Sequence, residues 1–256
     1  MSFRDNLATL AAVTSLLVGT AACQSDPGSK TPPAPAGPIA GEQCVDDRSQ
    51  VKDLKFGQDI GAELYGFVLG KGKAGVVLAH QNQSDACQWL PFGEELAERG
   101  YLVLLFDFAG FGVSPTTGAD LGKQVASAAA ALKGQGATTI VLIGASMGGT
   151  AVLAAAPAVS PPPAAVISFS APASFGATSA IGAVPALPSP ALLVAGRADG
   201  DFPRAAELLH GSAPAGKATL LVAESGEHGW ALVTDGIGDK DVREATFAFL
   251  TKHMPA

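Results

Sequence analysis

The chain has 256 residues, 48% hydrophobic and 15% charged, with a formal net charge of −7. That apolar content supports a buried core, the modest charge excludes an intrinsically disordered chain, and the acidic balance leaves no basic footprint for nucleic acid. Three Cys and four His, widely scattered, do not form the spacing of a zinc cluster, so no metal is expected.

In chain order, the first segment is 1–22. It carries Arg4, an apolar run over 7–18 and Gly19-Thr20-Ala21-Ala22. A run of that length with small residues at its end predicts an export signal, too short to span a bilayer comfortably. Cys23 follows directly, and Gly-Thr-Ala-Ala-Cys resembles a bacterial lipobox, with Thr20 standing where Leu is commonest. The resemblance implies an acylated Cys23 that anchors the protein to an envelope membrane, each buried methylene contributing about 0.8 kcal/mol. The alternative is cleavage and release as a soluble periplasmic or secreted protein. Residues 23–44 are rich in Pro and Gly and read as an extended tether, leaving 45–256 as one domain. An exported chain sits where disulfides persist. With Cys23 assigned to lipid, Cys44 and Cys87 are expected to pair, the alternative being two free thiols.

Beyond the tether, 51–56 and 62–69 read as an antiparallel pair. Six continuous apolar runs follow, at 75–79, 102–106, 139–143, 165–169, 191–195 and 219–222. Continuous rather than alternating runs predict strands buried on both faces of a parallel sheet. Helical segments lie between them. Residues 90–100 start near Pro91, carry a Glu95–Arg99 pair and end on Gly100; near the C-terminus Val242, Ala245, Thr246, Phe249 and Leu250 share one helical face. The fold class expected is α/β, an open and mostly parallel sheet of about eight strands with helices on both faces. Ligands then bind at the carboxyl ends of the parallel strands.

The chemistry-bearing residues fall at those ends. The run at 139–143 leads into Gly144-Ala145-Ser146-Met147-Gly148 and a helical stretch, a G-x-S-x-G turn between strand and helix. Such a turn thrusts a serine oxygen clear of the backbone, and small residues two before and two after make room for it. A serine needs a base and an orienting acid. Asp199 follows the next-to-last apolar run and His228 follows the last. Asp201 is the rival acid, with Glu224 and Glu227 more distant. An oxyanion formed at Ser146 needs backbone donors, assigned to the N–H of Met147 and to the N–H of Gln81 in the loop after the first buried strand. His80 is a shaping residue of that loop, and with Trp89, Phe108, Phe111 and Trp230 it is a candidate for the pocket wall; packing is the competing role for each. Gly110-Phe111-Gly112 is no dinucleotide fingerprint, because Pro115 stands at the third glycine's place.

Taken together, Val77-Leu78-Ala79-His80, Trp89-Leu90-Pro91-Phe92, the stretch Phe106-Asp107-Phe108-Ala109-Gly110-Phe111-Gly112 and the serine turn resemble the α/β-hydrolase superfamily. The likeness is to its small dienelactone-hydrolase-like and esterase-like bacterial members. Gln81 after His80 departs from the commoner His-Gly form. The resemblance implies a cofactor-free serine hydrolase acting on small carboxylic esters through Ser146, His228 and Asp199. Segment 170–190 is too short for a large cap. Alternatives are a peptidase, thioesterase or lactonase on the same triad, or an envelope-binding lipoprotein without turnover.

Overall fold

A computed structural model describes residues 37–234 and 236–256. The expected signal, Cys23 and the first part of the tether lie outside the described residues. Strands β1 (Lys52–Phe56), β2 (Leu64–Leu69), β3 (Ala74–Ala79), β4 (Leu102–Asp107), β5 (Thr139–Ala145), β6 (Ala165–Phe169), β9 (Ala191–Gly196) and β10 (Ala218–Ala223) form one sheet, and β7 (Ser174–Phe175) and β8 (Thr178–Ser179) form a separate hairpin. The sheet order is β1-β2-β4-β3-β5-β6-β9-β10. Strands β1 and β2 pair antiparallel, β2 runs antiparallel to β4, and every neighbour from β4 to β10 is parallel. Each of the six apolar runs is therefore one strand of a parallel array.

For the five inner strands the expected burial on both faces has a direct cause, whereas β10, at the sheet edge, departs from it: only Ala223 is buried and Thr219 is exposed. Alternate residues of β4 and β5 enter two different cores: Leu102, Leu104, Phe106, Ile140 and Leu142 on one face, Val103, Leu105, Val141 and Ile143 on the other. The first face is covered by α2 (Leu121–Gly134), α3 (Met147–Ala155), α4 (Ala180–Ala183) and α5 (Phe202–Ser212). The second is covered by α1 (Leu90–Glu98) and α6 (Lys240–His253), which insert Phe92, Leu96, Val242 and Leu250. Caps start the longer helices: Asp120 accepts from the N–H groups of Gly122 and Lys123 (2.8 and 3.2 Å), and Asp239 from those of Asp241 and Val242 (2.8 and 3.2 Å).

Two features frame the functional edge. Cys44 and Cys87 form a disulfide across a sequence separation of 43, a closure that stabilises by about 4 kcal/mol in the chain-entropy model. The packed chain already includes Ala40, which is buried, ahead of the boundary expected at residue 45. After β6, the short segment forms only the β7–β8 hairpin and α4. Thr178 ties it to α2 by donating to Asp120 Oδ2 (2.5 Å) and accepting from the Leu121 N–H (3.2 Å). No large cap covers the sheet edge among the described residues.

Candidate active site

Because β3, β5, β6, β9 and β10 run parallel, the loops that follow them emerge at one edge. Ser146 is the single residue between β5 and α3, with φ 50° and ψ −114°. A side chain in that region is strained, by about 1–3 kcal/mol. Its neighbours hold it there: the Ser146 N–H donates to Phe169 O at the end of β6 (2.8 Å), and the Thr150 N–H donates to Ser146 O (3.0 Å). Glycine is required on both sides of the turn. A Cβ on Gly148 would stand 2.6 Å from His80 O, and one on Gly144 would stand 2.9 Å from the Gly149 nitrogen. The close approach at Gly148 presses the first turn of α3 against the end of β3. The Met147 N–H is one of the first helical donors, which have no intrahelical acceptor.

Asp199 and His228 meet two loops away. The His228 Nδ1–H points between the two Asp199 carboxylate oxygens, 3.0 Å from each. Asp199 is buried, whereas the His228 side chain keeps 32% of its exposure and packs on Phe202, ring centroids 4.3 Å apart. Among the candidate acids, the structure brings Asp199 to the imidazole; Asp201 is exposed at the start of α5, and Glu224 pairs with Arg197 (2.6 Å). The histidine loop also touches the serine turn, since a Cβ on Gly229 would lie 3.3 Å from Ala145 Cβ and 2.6 Å from Gln81 Oε1. Loops after β3, β5 and β10 thus converge.

The loop after β3 is held by His80, which is fully buried. Its Nδ1–H donates to Gln81 O (2.8 Å) and its Nε2 accepts from the Phe108 N–H (3.0 Å), which sets a neutral tautomer. Burial pushes its pKa from 6.5 down to about 4, against the opposing pull of the Gln81 carbonyl and Asp85. Both ring nitrogens are spent on backbone, so His80 shapes the loop. The candidate pocket wall needs correction on this point. His80, Trp89 and Phe108 present essentially no surface, because Trp89 stacks into the core on Phe92 and Phe169 while Phe108 packs on Phe106 and His80. Phe111 and Trp230 are half-buried, Phe111 packing edge-on against His80 with ring centroids 5.2 Å apart.

Two residues enter the site that the sequence reading missed. Gln88 Oε1 accepts from the Gln81 N–H (2.9 Å), so the donor assigned to the oxyanion is engaged by a side-chain carbonyl. Ser170 Oγ–H donates to Asp199 Oδ2 (2.6 Å). Nothing in the residue type marks either one; only the position of Ser170 directly after a strand run was available as a signal. Among the described residues no cluster of His, Cys, Asp and Glu could hold a metal ion. A cleft of about 540 Å³ bordered by Asp59, Ser127 and Lys133 runs along α2, and Ser146, Asp199 and His228 do not line it.

Residues 76–249 match the model of the Alpha/beta hydrolase family, about two thirds of the chain. Among curated proteins the sequence has no match. Solved structures share the fold. An esterase from Pyrococcus furiosus superposes with TM-score 0.63 at 17% identity, covering 80% of this chain and 91% of the esterase. A dienelactone hydrolase from Anabaena variabilis gives TM-score 0.63 at 18% identity, covering 80% and 99%. An enol-lactonase from Burkholderia xenovorans gives 0.61 at 15%, covering 77% and 98%.

Proposed function

We propose that the chain, which belongs to the α/β-hydrolase family, cleaves carboxylic esters through an acyl-enzyme formed on Ser146. The family match supports a hydrolase; the ester class and the serine mechanism are proposed. The observation that carries the reading is the His228–Asp199 pair, Nδ1 at 3.0 Å from both carboxylate oxygens, at the same strand edge as the strained Ser146 turn. With Nδ1–H donated to Asp199, Nε2 is left as the basic nitrogen, the tautomer a general base needs.

In the proposed reaction Ser146 Oγ attacks the ester carbonyl carbon while His228 Nε2 takes the hydroxyl proton. The carbonyl electron pair moves onto oxygen, where the Met147 N–H and the Gln81 N–H stabilise it. Collapse breaks the bond to the leaving alkoxide, which receives the proton from His228, and Asp199 stabilises the transient imidazolium. Water, deprotonated by His228, then releases the carboxylic acid and restores Ser146. For the Gln81 N–H to serve, the substrate oxygen must displace Gln88 Oε1. The open edge and short segment after β6 suit small or accessible esters.

The test is labelling with a fluorophosphonate, comparing wild type with Ser146→Ala. Wild type labels and hydrolyses esters; the variant takes no label and loses on the order of 10³-fold or more in kcat. Folded wild-type protein that takes no label overturns the reading and favours a binding module. An acylated Cys23 and an envelope location are proposals too, read by mass spectrometry of the N-terminal peptide from membrane-extracted protein.

A further inference from the structure

The hydroxyl of Ser170 joins three of the loops at the functional edge. Ser170 is the first residue after β6, fully buried, with φ 47°. Its N–H donates to Val194 O of β9 (2.7 Å), which fixes its backbone against the neighbouring strand. Its Oγ–H donates to Asp199 Oδ2 (2.6 Å), and its Oγ accepts the N–H of Gly229 (3.0 Å). The direction of both bonds is forced, since an ionised carboxylate only accepts and a backbone N–H only donates. A single oxygen atom therefore spans the carboxylate of Asp199 and the backbone of the residue that follows His228.

Resting on the serine-hydrolase reading above, we propose that Ser170 is a positioning residue, whose hydroxyl clamps Asp199 and the His228 loop in the register that lets Nδ1 reach both carboxylate oxygens. The His228–Asp199 contact alone constrains only the two side chains. The hydroxyl adds a second tie from the same carboxylate to the main chain beside the imidazole. Without it Asp199 Oδ2 loses a charge-assisted donor and the Gly229 N–H loses its buried acceptor. The carboxylate is then free to rotate, and the histidine loop is free to shift against it.

The experiment measures the second-order rate of fluorophosphonate attachment to Ser146 in wild type, Ser170→Gly and Ser170→Ala, each also in an Asp199→Ala background. Glycine accepts the positive φ without strain, so Ser170→Gly keeps the fold, and Ser170→Ala is the second variant; melting midpoints confirm both. Each variant is expected to label about 10- to 100-fold more slowly than wild type. In the Asp199→Ala background the same changes cost less than about 3-fold, because the carboxylate that Ser170 positions is gone and only the tie to the Gly229 N–H remains to be lost. A residue that served only the fold would slow labelling by the same factor in both backgrounds. Unchanged labelling in a folded variant, or equal losses in both backgrounds, overturns the positioning role. Wild type that takes no label overturns the serine-hydrolase reading instead, so the two failures are distinct.

Discussion

Replacing His80 by Gln tests the account of the loop after β3. Glutamine offers one amide donor for Gln81 O and one amide acceptor for the Phe108 N–H, and it does not titrate. In the folded protein His80 titrates at about 4, in the unfolded chain at 6.5. Above pH 6.5 both states hold the ring neutral and the difference contributes nothing. As pH falls below 6.5 the unfolded chain takes up a proton that the buried ring refuses, and the folded state loses stability until about pH 4, where it too is protonated. The interval from 6.5 to about 4, at about 1.36 kcal/mol per pH unit, corresponds to about 3 kcal/mol lost across the window. Protonation at Nε2 also turns an acceptor toward the Phe108 N–H into a donor, which adds to the cost of burial. The assay is urea unfolding of wild type and His80→Gln, disulfide intact, at half-unit steps from pH 7.5 to pH 4. Carboxylates titrating over the same range are common to both proteins and cancel in the difference. The wild-type curve should fall away from that of the variant by about 1.4 kcal/mol per pH unit through the middle of the window. Parallel curves would refute the buried neutral tautomer and with it the structural role of His80.

Two further substitutions probe the serine turn and its donors. In Gly148→Ala the new Cβ lies 2.6 Å from both Ala79 C and His80 O, main-chain atoms that cannot yield without moving β3. We expect about 1–3 kcal/mol of destabilisation, together with slower labelling of Ser146; calorimetry showing an unchanged midpoint would contradict the close approach. In Gln88→Ala the Gln81 N–H is released from its side-chain acceptor. If that N–H receives the oxyanion, kcat/KM for a small ester rises by about 2- to 10-fold, the worth of one displaced hydrogen bond. An unchanged or lower kcat/KM would remove Gln81 from the oxyanion site.

Much of the architecture was legible because its signals are local or depend on burial alone. Strands covered on both faces must be apolar at consecutive positions, which is why five of the runs coincide with β3 to β6 and β9; the sixth, β10, is apolar at the sheet edge but only half-buried, with Thr219 exposed. The Gly144-to-Gly148 turn was legible for the same kind of reason, since a strained turn needs small neighbours within a few residues. The pocket wall was not. His80 and Phe108 directly follow strands and Trp89 directly precedes α1, places where an aromatic or imidazole ring reads equally as a ligand contact or as core, and burial decided for core.

What the sequence determined by itself was therefore the eight strands of the main sheet, the order of Ser146, Asp199 and His228 along the chain, and the family the chain resembles; the β7–β8 hairpin carried no such signal. What only the tertiary structure decided was which loops become neighbours. Ser170 follows β6, Asp199 follows β9 and His228 follows β10, and these strands lie side by side in that order. A hydrogen bond such as that from Ser170 to Asp199, across 29 residues of chain, exists because of strand adjacency. Adjacency is settled by the packing of the whole sheet, and no single segment carries it.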